Sequence, residues 1–231
     1  MCLNPRKEVA ILVFANSSVE ELSTKCIPKS GRFFDALTDR TLATVKKTQF
    51  PYFLITERQQ SGSSFGERFT NAIQSVFDKG YERIITIGND TPLLQTAHIT
   101  ETARQLAEGK TVLGPSVDGG FYLMGLHKSQ FSASQFEKLS WQTASLLQEV
   151  SVLLSGESNQ PIRLRTLFDI DDLHDLNLFI DRFRNIPEKL FKIIRSLLVK
   201  IIENFRFLFP FFENQLHKAF YNKGSPGVLH S

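Results

Sequence analysis

Short runs of β-branched and aromatic residues alternate with stretches of helical periodicity through most of this 231-residue chain. The run at 9–14 is apolar throughout, which is typical of a strand that is covered on both faces. Two of the helical stretches are followed by Gly80 and Gly109, and glycine commonly ends a helix. This alternation predicts a three-layer α/β fold, in which a mostly parallel sheet lies between helices on both faces. We expect strands at 9–14, 52–56, 83–87, 111–114, 121–125 and 162–168, and helices at 33–47, 65–79, 99–107, 141–154 and 173–183.

The positive charge of the chain is concentrated at its C-terminal end. Residues 187–231 contain seven basic and three acidic residues, so this segment carries +4 and residues 1–186 carry −1. Because the body has no basic stripe and no aromatic RNA-binding signature, nucleic acid is not an expected partner. The composition, 42% hydrophobic and 22% charged, excludes a disordered or collagen-like chain. We expect one domain over 1–186, followed by an appendage.

The sequence favours a cytoplasmic location. Its two cysteines, Cys2 and Cys26, are expected to be reduced. The apolar run at 9–15 follows Arg6 and Lys7 but leads into no small-residue cleavage site, so a buried strand is favoured over a signal peptide. No stretch reaches the roughly 18–20 apolar residues that a membrane span needs.

Open parallel sheets bind their ligands beyond the carboxyl ends of the strands. This rule points to the loops at 16–32, 88–92 and 115–120. In the second loop, Gly-Asn-Asp-Thr-Pro at 88–92 follows a strand and presents Asp90 at the sheet edge. A carboxylate there can hold a hard divalent cation, and through it a diphosphate. The alternative is that Asp90 caps the following helix, with Pro92 in the first turn.

A second acidic segment lies at 114–123, where Asp118 precedes Gly119 and Gly120. Two glycines after an acid allow a backbone to approach a ligand closely. Two carboxylates on neighbouring strand ends are costly to keep charged unless a cation lies between them. A plain hairpin turn at Asp118 and Gly119 is the alternative interpretation.

The loop at 16–32 contains three cations, Lys25, Lys29 and Arg32. Cations at the carboxyl edge of a sheet can neutralise phosphates, although loops are often basic only because they are solvated. The glycine-rich phosphate-binding loops and the nucleophile elbow are absent from the sequence. The five histidines show no zinc-ligand spacing.

Several segments together resemble a known family. They are 88–92, 113–123, Ser-Phe-Gly-Glu-Arg at 64–68, Trp-Gln-Thr at 141–143 and Asp-Ile-Asp-Asp-Leu at 169–173. The combination resembles a bacterial glycosyltransferase-like family of GT-A, or nucleotide-diphospho-sugar transferase, fold, whose members are associated with radical-SAM proteins or with arsenosugar biosynthesis. The last segment also looks like the aspartate-rich strand end of guanylyltransferases of cofactor biosynthesis. The resemblance covers about residues 8–184.

The resemblance implies a nucleotide bound over the first half of the sheet, together with Mg²⁺ or Mn²⁺. In this interpretation Asp90 is the main metal contact, and Asp169 and Asp171 complete the shell of the cation. Asp118 faces the acceptor or the metal and is the candidate catalytic residue. The Lys-Thr-Arg-Leu-like stretch of the family is replaced by Ser-Thr-Lys-Cys at 23–26, so only Lys25 remains of its cations.

Further candidate nucleotide contacts accompany these acids and the cations Lys25, Lys29 and Arg32. They are Glu67, Arg68, Asn89, Gly119 and Gly120. The alternative for Glu67 and Arg68 is local pairing at the start of a helix. Trp141 is expected to be a packing residue rather than a stacking platform.

The C-terminal segment is predicted to form an amphipathic helix within 187–221. Its apolar residues recur at intervals of three or four: Leu190, Ile194, Leu197, Ile201, Phe205 and Leu208. We expect this helix either to pack on the domain or on a second subunit, or to lie on the inner face of the membrane. Residues 222–231 are expected to be disordered.

These inferences predict a transferase that moves a sugar from a nucleotide-sugar donor to a small acceptor with the help of a divalent cation. The alternative enzyme is a nucleotidyltransferase that joins a nucleoside monophosphate to a phosphorylated acceptor. Its relatives usually have a glycine-rich loop after the first strand, which this chain lacks. A degenerate, non-catalytic domain that binds a nucleotide or a partner is the third hypothesis.

Overall fold

The computed structural model describes residues 8–25, 27–156, 160–182 and 188–208, with the backbone alone for 202–208. The described residues form a six-stranded sheet in the order β2-β1-β3-β5-β4-β6. Of these strands β5 runs antiparallel to both of its neighbours, and the other pairs are parallel. The predicted mostly parallel sheet is therefore confirmed. The strands are β1 (Val9–Phe14), β2 (Tyr52–Ile55), β3 (Arg83–Ile87), β4 (Val112–Pro115), β5 (Phe121–His127) and β6 (Ile162–Arg163).

Helices cover the sheet on both faces, as the alternating residues of β1 show. Ala10, Leu12 and Phe14 lie in a buried cluster with residues of α3, α5 and α6. Val9, Ile11 and Val13 lie in a second cluster with residues of α2 and α4. Successive side chains of a strand point to opposite faces, so an apolar run without alternation has to be buried on both. The helices are α1 (Ser18–Thr24), α2 (Gly31–Lys46), α3 (Phe65–Phe77), α4 (Thr96–Ala107), α5 (Ala133–Phe136), α6 (Leu146–Leu153), α7 (Leu173–Arg182) and α8 (Glu188–Leu208).

Several elements differ from the sequence prediction. Helix α5 was not predicted, and α6 begins at Leu146 rather than at 141. Helix α1 lies inside the predicted loop at 16–32, and the Ser17 hydroxyl caps it by accepting from the Glu20 N–H. Helix α4 begins at Thr96 with Gln95 at its N-cap, so Asp90 does not cap it and Pro92 is not in its first turn. Strand β6 is shorter than predicted, because beyond Arg163 only an isolated bridge between Leu167 and Ser116 continues the pairing.

The C-terminal helix α8 packs against the body of the protein. Its residues Leu190, Ile194, Leu197 and Ile201 are buried in a third apolar cluster with residues of α2 and α7. This is the packing alternative for the predicted amphipathic helix, and it accounts for the first four positions of its apolar face. Phe205 and Leu208 belong to the part described by backbone only, and residues 209–231, including the predicted disordered tail, lie outside the described residues.

Among the helices that the structure describes, none combines the length and the apolar character needed to cross a membrane.

Candidate functional site

A cleft of about 930 Å³ opens at the carboxyl edge of the sheet. It is bordered by the ends of β1 and β3 and by the segments that follow β4 and β6. Each of the three predicted loops contributes to its lining, through Lys25, Asp90 and Asp118 respectively. The sheet topology explains this convergence, because parallel strands bring their carboxyl ends to one edge.

Three aspartates form an acidic cluster in this cleft. Asp118, Asp169 and Asp171 each offer a carboxylate oxygen, and these oxygens lie within 4.8 Å of one another. The cluster joins the loop after β4 to the segment after Leu167. Two of its members, Asp169 and Asp171, were predicted as metal ligands, and the third, Asp118, was predicted as the catalytic residue.

Asp118 is held in place by its own loop. Its Oδ1 accepts from the Ser116 hydroxyl and, at 2.9 Å, from the backbone N–H of Gly120. Gly119 has a φ of +93°, and a Cβ there would clash with the Ala144 carbonyl oxygen. Gly119 therefore lets the loop turn tightly against the segment around Ala144, and this turn positions Asp118.

A hard divalent cation fits the acidic cluster. Burial, together with the nearby carboxylates of Asp90, Asp118 and Asp171, raises the pKa of Asp169 to about 7. Because like charges are crowded together here, the negative charge of the cluster is not fully balanced by the cations of the protein. Carboxylate oxygens are the ligands that Mg²⁺ and Mn²⁺ prefer.

Lys25 lies beside the cluster at the end of α1, with 14% of its side chain exposed. Its Nζ is 2.6 Å from Asp171 Oδ1 and 3.2 Å from Asp90 Oδ2, and it donates to the Ile170 carbonyl oxygen at 3.2 Å. Burial alone would lower the pKa of Lys25, but the carboxylates of Asp90, Asp171 and Glu21 raise it above its usual value. Lys25 is therefore a permanent cation in this site.

Glu21 is a site residue that the sequence did not indicate. Its carboxylate is 3.6 Å from Lys25 Nζ, and only 5% of the side chain is exposed. Burial raises the pKa of Glu21 to about 7, although Lys25 lowers it. The spacing of four residues between Glu21 and Lys25 is a helical signal, but it has meaning only once α1 is recognised as a helix.

The other predicted cations lie in different places. Arg68 lines the cleft, whereas Lys29 and Arg32 are not among the residues that line it. Arg32 is exposed in the first turn of α2. Of the three cations predicted in the loop at 16–32, Lys25 is thus the one that the fold brings to the acids.

Asn89 and Glu67 have structural contacts of their own. Asn89 lines the cleft and donates from Nδ2 to Thr38 Oγ1 at 2.9 Å, which ties the loop after β3 to α2. Glu67 accepts from the N–H and the hydroxyl of Ser63 at 2.6 and 2.7 Å, and these hydrogen bonds lower its pKa. Glu67 is outside the cleft lining, which agrees with the local alternative for this residue.

Aromatic side chains form one wall of the cleft. Trp141 packs at centroid distances of 5.5 Å from Phe65, 4.9 Å from Phe69 and 6.2 Å from Phe121. Its indole N–H donates to the Phe136 carbonyl oxygen at 2.7 Å. All four rings line the cleft, so Trp141 is both the packing residue that was predicted and part of the site surface.

Part of the chain matches a sequence family. Residues 35–143, which include Asp90 and Asp118, match the family described as "Uncharacterized protein conserved in bacteria (DUF2064)". No curated protein matches the sequence.

The fold is shared with solved structures. A protein from Desulfovibrio desulfuricans G20, provisionally described as a nucleotide-diphospho-sugar transferase, is 20% identical; the match covers 83% of this chain and 98% of that chain with a TM-score of 0.64. The 4-diphosphocytidyl-2C-methyl-D-erythritol synthase of Anaerococcus prevotii DSM 20548 is 12% identical, and the match covers 77% of this chain and 100% of that chain with a TM-score of 0.51. These similarities confirm that the chain has the predicted nucleotide-diphospho-sugar transferase fold.

Proposed function

We propose that the protein is a transferase that moves a sugar from a nucleotide-sugar donor to a small acceptor with the help of Mg²⁺ or Mn²⁺. The observation that carries the proposal is the acidic cluster of Asp118, Asp169 and Asp171 in a cleft at the carboxyl edge of the sheet. The cleft volume of about 930 Å³ is within the range for small-molecule sites.

The residues of the site have different roles in the proposed reaction. Asp169 and Asp171 would hold the cation together with Asp118 or with Asp90, which was the main metal contact predicted from the sequence. When bound, the cation supplies positive charge that stabilises the departing diphosphate. Lys25 and Arg68, which also line the cleft, would add positive charge toward the phosphates.

Asp118 is the proposed catalytic residue. Its carboxylate would accept the proton of an acceptor hydroxyl while the hydroxyl oxygen forms a bond to the anomeric carbon of the sugar. The bond from that carbon to the diphosphate breaks, and the diphosphate leaves with the electron pair. The hydrogen bonds from Ser116 and Gly120 fix the position of Asp118 for this step.

The aromatic wall suits the uncharged part of the donor. Phe65, Phe69, Phe121 and Trp141 give one side of the cleft an apolar surface, whereas the acids and Lys25 occupy the sheet edge. A nucleotide-sugar has the same division, because its base and sugar rings have apolar faces and its diphosphate is anionic.

A nucleotidyltransferase is the second candidate function. It would use the same acids and cation on a nucleoside triphosphate, and the shared fold with the Anaerococcus synthase favours keeping this candidate. A non-catalytic nucleotide-binding domain is the third hypothesis, and a ligand-induced shift without turnover would identify it.

The experiment is a thermal-shift screen of the full chain. UDP-, GDP-, CDP- and dTDP-sugars and the nucleoside triphosphates are each added with and without Mg²⁺ or Mn²⁺. A ligand at 100 times its dissociation constant stabilises by about 2.7 kcal/mol, which raises the Tm of a chain of this size by about 5–10 °C. A cation-dependent shift with one nucleotide-sugar, followed by its turnover on addition of acceptor alcohols, supports the proposal. A shift with a triphosphate alone favours the second candidate, and no shift with any ligand contradicts both.

Asp169→Asn is the decisive variant for the cation. We expect it to lose the cation-dependent part of the shift, because it removes a charge from the cluster without changing the shape of the side chain. Asp39→Asn is the matched control, since Asp39 is exposed on α2 and outside the cleft lining. An unchanged cation-dependent shift in Asp169→Asn contradicts the proposed metal site.

A further inference from the structure

We infer that Lys25 is a tethered counter-ion that competes with the divalent cation for Asp171 and transfers to the diphosphate when the nucleotide binds. The inference rests on the proposed function, and it adds a coupling between the two ligands. It predicts that the cation alone binds weakly and that cation and nucleotide diphosphate bind cooperatively.

The hydrogen-bonding capacity of Lys25 is fully used in the structure. An ammonium group has three N–H donors, and three acceptors lie within reach of Lys25 Nζ: Asp171 Oδ1 at 2.6 Å, Asp90 Oδ2 at 3.2 Å and the Ile170 carbonyl oxygen at 3.2 Å. The carboxylate of Glu21 adds a third anionic neighbour at 3.6 Å. Lys25 therefore has to give up at least one of these partners before it can donate to a phosphate.

Asp171 is the partner that a cation would contest. It forms the shortest of the ion pairs of Lys25, and it also contributes an oxygen to the acidic cluster with Asp118 and Asp169. An ammonium and a divalent cation on the same carboxylate repel each other, and the repulsion is strong where the site is partly buried. Lys25 consequently opposes the cation as long as it stays on Asp171.

A diphosphate changes this balance. Its oxygens are acceptors for a charged donor, so Lys25 exchanges its ion pair with Asp171 for one with the phosphate instead of losing it. Each ligand then removes part of the cost of binding the other, which is a positive and reciprocal coupling. Loop 88–92, which carries Asp90, is held to α2 by the hydrogen bond from Asn89 to Thr38.

The test measures binding of Mn²⁺ to the full chain by calorimetry or by the electron paramagnetic resonance signal of free Mn²⁺. We expect Lys25→Gln to bind Mn²⁺ alone about tenfold more tightly than the wild type, since a competing charge is removed. The same variant should bind UDP in the presence of saturating Mn²⁺ more weakly than the wild type, because it lacks the phosphate contact. A residue with a merely structural role would not strengthen the binding of one ligand and weaken that of the other.

Two control variants separate competition from a general effect of charge. Lys25→Arg keeps the positive charge and should keep the weak Mn²⁺ binding of the wild type. Arg68→Gln removes a cation that lines the same cleft without any ion pair to Asp171 among the described contacts, and it should change the affinity for Mn²⁺ less than threefold.

The outcomes distinguish this inference from the proposed function. If the wild type and Lys25→Gln bind Mn²⁺ with equal affinity, or the variant binds it more weakly, the inference is wrong and the metal site stands. If neither protein binds Mn²⁺, both the inference and the proposed metal site are wrong.

A second measurement needs no variant, in case Lys25→Gln does not fold. Lysine amines of the wild type are acetylated with an N-hydroxysuccinimide ester, and the modification of Lys25 is followed by mass spectrometry of its peptide. Lys25 should react slowly in the free protein, because it is buried and ion-paired, and faster at saturating Mn²⁺. Equal reactivity with and without Mn²⁺ overturns the inference.

Discussion

Gly66, in the first turn of α3, is the position where a single methyl group should disturb the cleft most directly. A Cβ at Gly66 would lie 2.5 Å from Cδ1 and 2.7 Å from Nε1 of Trp141, and 3.2 Å from the Glu137 carbonyl oxygen. The two distances to the indole are shorter than those of real Cβ atoms, so Gly66→Ala has to displace the indole. The displacement would also break the hydrogen bond from Trp141 to the Phe136 carbonyl oxygen.

The expected loss of stability follows from three contributions. Overpacking of a well-packed site costs roughly 1–3 kcal/mol, and the lost hydrogen bond costs about 1 kcal/mol. The higher helix propensity of alanine offsets about 1 kcal/mol of this loss of stability. The net destabilisation is about 2 kcal/mol, which lowers the Tm of a protein of this size by about 4–8 °C.

Thermal unfolding and tryptophan fluorescence together test this prediction. Trp141 is the only tryptophan of the chain, so its emission reports the indole environment without background. Gly156→Ala is the matched control, because a Cβ at Gly156 meets no atom within 4 Å. Trp141→Phe, which shortens the ring system, should cost less in the Gly66→Ala background than in the wild type. A wild-type Tm and emission spectrum for Gly66→Ala would refute the reasoning.

Two further predictions concern α8 and the buried Glu21. Ile194→Ala should lower the free energy of unfolding, measured in urea, by about 2–5 kcal/mol, because Ile194 is 1% exposed in the cluster between α8 and α2. The control Val199→Ala, at a residue that is 47% exposed, should change this free energy by less than about 0.5 kcal/mol. Equal effects of the two variants would mean that α8 does not pack as described. Since burial raises the pKa of Glu21 to about 7, the native state binds more protons than the unfolded state from about pH 4.5 to 7, and stability falls as the pH rises through this window. Glu21→Gln should reduce this fall in stability by at most about 3 kcal/mol, whereas the control Asp39→Asn should leave it unchanged. The fall is measured as the difference in Tm between pH 5 and pH 8. An equal difference in the wild type and both variants would contradict the burial argument.

The regular elements could be predicted closely because their signals are local. Strands β1 and β3 have the predicted bounds, Val9–Phe14 and Arg83–Ile87, since uninterrupted apolar or β-branched runs suit strands buried on both faces. Helix α3 begins at the predicted residue, Phe65, where Ser64 caps the N–H of Glu67. Helix α1 was not predicted, because seven residues with exposed Val19 and Leu22 show no amphipathic pattern.

The location of the candidate site was also within reach of the sequence, because the acids at 90, 118, 169 and 171 all follow predicted strands. The contacts that each of these acids makes could not be predicted from the sequence. Asp118 forms the cluster with Asp169 and Asp171, whereas Asp90 forms an ion pair with Lys25. The roles predicted for the individual acids stay predictions.

The sequence by itself determined the layers of the fold and the edge at which the acids gather, because hydrophobic periodicity and parallel strand direction act over a few residues at a time. Only the tertiary structure decided that Lys25 bridges Asp90 and Asp171, that Glu21 is buried beside it and that Trp141 lies against Gly66. Except for the pair of Glu21 and Lys25, these contacts join residues far apart in the chain, and they depend on loop conformations that no local pattern encodes. Their geometry is set by packing and by the pairing of buried charges, which exist only once the chain has folded.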